Sequence, residues 1–368
     1  MRGNALRMEA SALAAVAALA VGAFAGCGDV ALSERLSGYR EELGQALEPA
    51  MPLSEVLELS DALEAEEIAS LRLPQRRDRR LEVQDLRMGP FDFLATIGCS
   101  LSEVVAERNG ALGKVLEPTR RLQHELRVID AMTACLPTLS PERAGRLAES
   151  LAIKRSDLGR HLWNAVWLDA DLERFLSFGP AALIGGEDSR DGSGQMMRAA
   201  RALRQGDVAG LELAFSQLRD DPAIGKTLVQ MGRVTAEFER ISALVAQHPV
   251  TRCGKKERRL AQVFRSNFVP LQMGLGELNR KERAFSEAFE ALFQASTSWS
   301  QSQTALKPEV PALMRAFRVA IVGDETRVAL GERFRSAMRG HAAAWAPLLE
   351  ACDVIPKVEP DTSMSAAE

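Results

Sequence analysis

AIGKTLVQMGRVTAEFERISALVAQ, residues 223–247, is the stretch that decides the fold class of this chain. Large apolar side chains recur in it at intervals of four, three and four residues: Val234, Phe238, Ile241 and Val245. At about 3.6 residues per turn, this spacing places all four on one side of an α-helix. The stretch therefore predicts a long amphipathic helix whose apolar side packs against other helices.

The same periodicity extends over most of the 368 residues. It predicts further helices over residues 32–47, 54–71, 91–105, 118–135, 140–163, 195–204, 207–219, 254–297, 309–322 and 324–352. Between two of them, residues 73–90 contain Pro74 and Pro90 and no apolar stripe, which favours a short extended segment. The predicted fold is all-α, with antiparallel helices in one bundle or in two stacked bundles.

The glycine-rich stretch GPAALIGGEDSRDGSG ends at residue 194 and predicts an internal boundary. We expect an N-terminal helical region over residues 27–180, a loop over 181–194 and a C-terminal helical region over 195–352. Residues 353–368 contain two prolines and several small polar residues, which predicts a disordered tail. Lys and Arg total 46 against 50 Asp and Glu, without long blocks of one sign, so the charge pattern does not suggest a nucleic-acid partner.

The first 26 residues resemble a bacterial lipoprotein signal peptide. Residues 11–25 are uncharged, and a helix of that length would span roughly 22 Å, short of the ~30 Å hydrocarbon core. Phe24-Ala25-Gly26-Cys27 resembles a lipobox, whose cysteine becomes the acylated amino terminus. The resemblance implies a membrane anchor at Cys27, with Gly28 favouring the periplasmic face of the outer membrane over the inner membrane. The alternative is an ordinary cleaved signal followed by a cysteine that is not acylated.

Four cysteines follow Cys27, an even number that fits two disulfides in an oxidising compartment: Cys99, Cys135, Cys253 and Cys352. Two cysteines on antiparallel neighbouring helices meet when they lie equally far from the turn. The midpoint of the first pair is residue 117, beside a predicted turn, and that of the last pair lies in the polar stretch TSWSQSQT. A crossed pairing of Cys99 with Cys253 centres on Leu176, inside a short helix that the acidic residues from Asp169 to Glu173 predict. The expected pairs are Cys99–Cys135 and Cys253–Cys352; four reduced thiols would instead require a cytosolic location.

The sequence contains no complete catalytic or metal-binding motif, so we predict no catalytic residue, metal ion or cofactor. Five polar residues are nevertheless candidates for binding a ligand together: Asp92, Glu107, Arg108, Asn109 and Lys114. Three of these residues end an apolar helix, and Lys114 follows two glycines. They form either a ligand pocket or hydrogen bonds to the free carbonyls at the end of that helix.

Two further charged groups favour structural roles over binding roles. Asp169, Asp171 and Glu173 open a predicted helix, where carboxylates stabilise the positive end of the helix dipole. For the arginines of residues 76–80, we expect a solvated and partly ion-paired surface. The alternative is a site that binds lipid phosphates or an anionic glycan.

Residues 73–128, followed by Ala-Cys-Leu-Pro at 134–137, resemble the domain of unknown function 3080 family of gammaproteobacterial envelope lipoproteins. The resemblance depends on short motifs: Arg76 to Arg80, Asp92-Phe93-Leu94, Cys99, Ala106 to Asn109, Leu112-Gly113-Lys114, Trp163-Asn164, Arg252-Cys253, and His341 with Trp345. It implies an envelope location and a lipid anchor, and it supplies no activity.

Two functions remain open from the sequence. The first is a non-catalytic lipoprotein facing the periplasm, which binds a protein, peptidoglycan or lipid partner through a helical surface. The second is an enzyme acting on envelope glycans or lipids, with a polar pocket around Glu107, Arg108 and Asn109.

Overall fold

The computed structural model describes residues 28–47, 69–84, 86, 89, 93–94, 96–109, 116–177, 192–221, 224–248, 250, 252–298 and 308–353. The predicted signal peptide (1–26), Cys27, most of the predicted 181–194 loop and most of the predicted tail (353–368) lie outside these residues.

The described residues form α-helices and connecting segments, without a β-strand among them, which confirms the predicted all-α class. The helices are α1 (Gly28–Leu47), α2 (Arg76–Arg79), α3 (Leu101–Asn109), α4 (Pro118–Cys135), α5 (Pro141–Trp167), α6 (Ala170–Phe175), α7 (Ser193–Gln205), α8 (Val208–Leu218), α9 (Gly225–Ala246), α10 (Lys255–Thr297), α11 (Ala312–Val322) and α12 (Leu330–Ala351). None of them combines the length and apolar character needed to cross a bilayer.

The 43-residue helix α10 is the central element of the fold and is roughly 65 Å long. Its first half runs antiparallel to α12: the rings of Phe268 and His341 lie 5.0 Å apart, and those of Phe264 and Trp345 also 5.0 Å. Its second half packs on α5, where the rings of Trp163 and Phe293 are 5.8 Å apart. Both halves of the chain therefore share one helix in their cores.

Helices from both sides of the predicted 181–194 loop pack against one another. Helices α1 and α5 contact α10, and α4 contacts α8. The buried apolar side chains accordingly form one connected cluster that runs from Leu32 in α1 to Leu349 in α12.

The segment after α2 is extended, as predicted for part of residues 73–90, and side chains of α5 hold it in place. The Asn164 amide accepts a hydrogen bond from Leu81 N at 2.9 Å and donates one to Leu81 O at 2.7 Å. Trp163 Nε1 donates to Arg79 O at 2.7 Å. These bonds satisfy backbone groups that a neighbouring strand would satisfy in a sheet.

Both predicted cysteine pairs lie at disulfide-bonding distance. The Cα atoms of Cys99 and Cys135 are 5.5 Å apart, and those of Cys253 and Cys352 are 4.9 Å apart. In the first pair, Cys99 lies two residues before α3 and Cys135 is the last residue of α4, which runs antiparallel to α3. The second joins the segment before α10 to the end of α12, so each pair closes an antiparallel helix pair at its open end.

Helix α1 lies antiparallel on the first half of α10. Lys256 Nζ donates to Leu47 O at 3.4 Å near one end, and Arg35 Nη1 donates to Pro270 O at 3.4 Å further along. The buried Tyr39 hydroxyl lies 3.1 Å from His341 Nε2, inside the aromatic core. Helix α1 is thus part of the folded body.

Candidate functional site

The residues predicted to form a polar pocket instead reach from α3 across to α4. Glu107 forms an exposed ion pair with Arg127. Arg108 Nη1 donates to Glu125 Oε1 at 2.5 Å. Asp92, Lys114 and the side chain of Asn109 lie outside the described part of the chain. The structure therefore brings two of the five predicted residues to one helix interface, each in an ion pair.

The ion pair of Arg108 leads to a buried charge cluster at the interface of α3, α4 and α5. At its centre Glu125 is only 1% exposed. Its second carboxylate oxygen accepts a hydrogen bond from Lys154 Nζ at 2.6 Å, and His161 Nε2 lies 4.0 Å from the same oxygen. His124, also buried, is the residue immediately before Glu125 on α4. We call these five residues, including Arg108, the Glu125 cluster.

The charges of the cluster keep its carboxylate ionised. Burial alone would raise the pKa of Glu125, but the nearby ammonium of Lys154 and guanidinium of Arg108 outweigh burial, and the pKa is lowered. Each oxygen of the Glu125 carboxylate also accepts a hydrogen bond from a charged side chain. A carboxylate held in this way is a poor proton acceptor near neutral pH.

The histidines of the cluster are shifted towards their neutral forms. Burial lowers the pKa of His161 to about 4, and burial also lowers the pKa of His124. Among the described residues, His124 Nε2 has no hydrogen-bond partner. Near pH 7 the cluster therefore consists of one carboxylate, two fixed cations and two neutral imidazoles.

Acid should weaken the fold through His161. The unfolded chain binds a proton on this residue near pH 6.5, whereas the folded chain does so only near pH 4. Stability is therefore lost as the pH falls from 6.5 to 4, by about 3 kcal/mol from this side chain. Urea unfolding of wild type and His161→Leu at pH 7 and pH 4 measures the effect, and the variant is expected to lose about 3 kcal/mol less than wild type between the two pH values. An equal loss in both proteins would contradict it.

The cluster is coupled to the extended segment through Asp157, which is buried three residues after Lys154 on α5. Its carboxylate accepts a hydrogen bond from Gln84 N at 2.7 Å and another from Arg160 Nη1 at 2.6 Å. One face of α5 thus carries the charges that bind α4 on one side and the 80–84 segment on the other.

Sequence reasoning did not identify Glu125, Lys154 or His161 as members of a common site. A usable signal was present, because Glu125 lies three residues after the buried Leu122 and therefore within the apolar stripe of α4. Lys154 likewise lies three residues after the buried Leu151 on α5. A charged residue within an apolar stripe predicts a buried partner of opposite charge.

The other charged groups have mainly structural contacts. Asp169 caps α6, as expected from the sequence, by accepting hydrogen bonds from Asp171 N and Leu172 N. Arg79 departs from the expected solvated surface: it is 1% exposed and pairs with Glu173 at 2.6 Å. Its burial follows from the docking of the 76–84 segment on α5, which the local sequence does not reveal.

Motifs that carried the family resemblance contribute to these contacts. Trp163 and Asn164 bind the extended segment, Cys253 lies at disulfide-bonding distance from Cys352, and His341 and Trp345 form the aromatic core beneath α1.

Comparison with known proteins gives a match to one family. The model of the family described as protein of unknown function (DUF3080) matches residues 51–356. No curated protein and no solved structure matches the chain. The matched region begins after α1 and includes the Glu125 cluster and both cysteine pairs. The chain therefore belongs to the DUF3080 family.

Proposed function

We propose that this protein is a non-catalytic envelope lipoprotein, held by Cys27 at the periplasmic face of the outer membrane, that binds a partner protein through its helical surface. The observation that carries the proposal is the pairing of all four cysteines after Cys27 at disulfide-bonding distance. Such pairs are typical of proteins in oxidising compartments and rare in the cytosol.

The contacts of Glu107 and Arg108 favour this function over the enzyme alternative. A ligand pocket needs polar groups that are free to meet a substrate, whereas these two side chains bind Arg127 and Glu125. An enzyme acting on envelope glycans or lipids remains the second candidate, without a described contact in its favour.

A candidate partner surface lies between α7 and α8. An open groove of about 500 Å³ is lined there by Gln195, Arg198, Leu213, Gln217, Asp220 and Asp221. Leu213 is 59% exposed, although it is a large apolar side chain. An apolar centre with charges of both signs around it resembles the core and rim of protein interfaces.

The anchor is tested by replacing Cys27 with serine while the rest of the signal is kept. Because a thioether-linked diacylglycerol requires the thiol, we expect Cys27→Ser to lose acylation and membrane retention. Mass spectrometry of the amino terminus and membrane fractionation measure both effects. Retention of the variant in the membrane fraction, equal to that of wild type, would contradict the proposed anchor.

The partner surface is tested by crosslinking in cells followed by affinity purification. We expect a protein captured by wild type to be lost from Leu213→Asp and kept by Leu313→Asp, which changes a similarly exposed leucine on α11. Capture that is equal in all three proteins would exclude this groove. Capture of peptidoglycan fragments in place of a protein would exclude the proposed partner class.

A further inference from the structure

The contacts of α1 fix where the predicted anchor meets the folded body. Leu32 lies over Gly274, since a Cβ atom on that glycine would be 3.6 Å from Leu32 Cδ1. Gly28, the first residue of α1, lies four residues before Leu32, about one helical turn. Because α1 and α10 are antiparallel, Gly28 is directed towards Leu278. The residue before Gly28 in the sequence is Cys27, so there is no linker between the predicted acylation site and the helix.

The surface of α10 beside this point has unusual exposure. Met273 is 86% exposed and Val269, one turn earlier, is 52% exposed. Met273 is about 100° around the helix from Gly274, which faces α1. Met273 therefore lies on the side of α10 that faces solvent next to α1. A flat membrane surface in contact with both helices would meet α10 at this residue.

Exposed basic residues border these apolar side chains. Arg35 projects from α1 and donates to Pro270 O, and Arg280 lies on the same side of α10 as Met273. Arg280 also forms an ion pair with Glu277. Apolar side chains beside arginines are the composition of surfaces that lie in the interface of a bilayer.

We propose that Arg35, Val269, Met273 and Arg280 form a membrane-contacting face. This inference rests on the lipid anchor proposed above: acyl chains attached one residue before α1 hold α1 and the adjoining half of α10 against the bilayer. Val269 and Met273 enter the boundary between headgroups and acyl chains, a layer about 5–10 Å deep, while the arginines meet lipid phosphates. The groove between α7 and α8 remains on a different pair of helices, available to a partner.

The test places an environment-sensitive fluorophore at Met273→Cys in the acylated protein, which begins at Cys27. The protein is purified from membranes and reconstituted into phospholipid vesicles whose acyl chains carry bromine near the headgroup. Leu213→Cys is the matched control, because it is also an exposed apolar position and adds the same extra thiol. Mass spectrometry confirms acylation of both proteins.

The expected result is a blue-shifted emission and a loss of most fluorescence at position 273, with neither change at position 213. Acylated protein with an unquenched label at position 273 overturns the membrane-contacting face and leaves the anchor intact. Protein that carries no acyl chains on Cys27 overturns the anchor and this inference together.

Discussion

Replacing Glu125 with alanine should lower the free energy of unfolding by about 3–5 kcal/mol, which is the usual cost of removing one partner from a buried ion pair. The loss is large because Lys154 remains buried without its carboxylate, and because Arg108 loses its contact with α4. Urea unfolding at pH 7 under oxidising conditions measures the change. The effect arises from stranded charge, since Glu125 itself contributes little apolar area.

Two control variants separate this cause from a general loss of packing. Glu107→Ala removes an exposed ion pair from the same helix interface and should cost under about 1 kcal/mol. The double variant Glu125→Leu/Lys154→Met removes both buried charges and should recover much of the loss. A Glu125→Ala protein as stable as Glu107→Ala would contradict the proposed burial of the cluster.

Removing the Cys253–Cys352 pair should have an effect of similar size. The two cysteines are 99 residues apart in sequence, and a cross-link over a loop of that length stabilises a fold by about 5 kcal/mol in the chain-entropy model. Changing both residues to serine frees the start of α10 from the end of α12 in the unfolded chain. We expect the midpoint of urea unfolding to fall accordingly, with the helical content of the native state unchanged.

The Cys99–Cys135 pair supplies the matched comparison. It is separated by 36 residues, and its loss should cost about 4 kcal/mol, somewhat less than the loss of the longer loop. If both double-serine variants have the same urea midpoint as oxidised wild type, disulfide formation is contradicted. Mass spectrometry with and without a thiol-alkylating reagent verifies the bonded state of the wild-type protein.

Much of the fold can be predicted from the sequence because the signals that set it are local. The predicted helix over residues 254–297 is observed as Lys255–Thr297, and the one over residues 118–135 as Pro118–Cys135. Both cysteine pairs could also be anticipated, but the turn argument describes the second pair incompletely. Helix α11 lies between α10 and α12 in the sequence, so Cys253 and Cys352 are not the two ends of a single hairpin.

The remaining features depend on contacts between distant parts of the chain. The docking of α1 on α10 brings Arg35 to Pro270, which is 235 residues away in the sequence. The local apolar pattern of either helix does not indicate which helix it packs against. The sequence predicts the candidate pocket from three adjacent polar residues at a helix end, Glu107, Arg108 and Asn109. Glu107 and Arg108 instead form ion pairs with Arg127 and Glu125 of α4. The antiparallel packing of α3 on α4 places these opposite charges side by side.

The central position of α10 has a consequence for how the molecule melts. Aromatic residues from one end of this helix complete the packing around His341, and those from the other end complete the packing around Trp163. Each of these two aromatic clusters is completed by side chains of the same helix, so unfolding of α10 would open both of them. Heat should therefore disorder both together in a single cooperative transition, and a protease should release no stable fragment corresponding to either half.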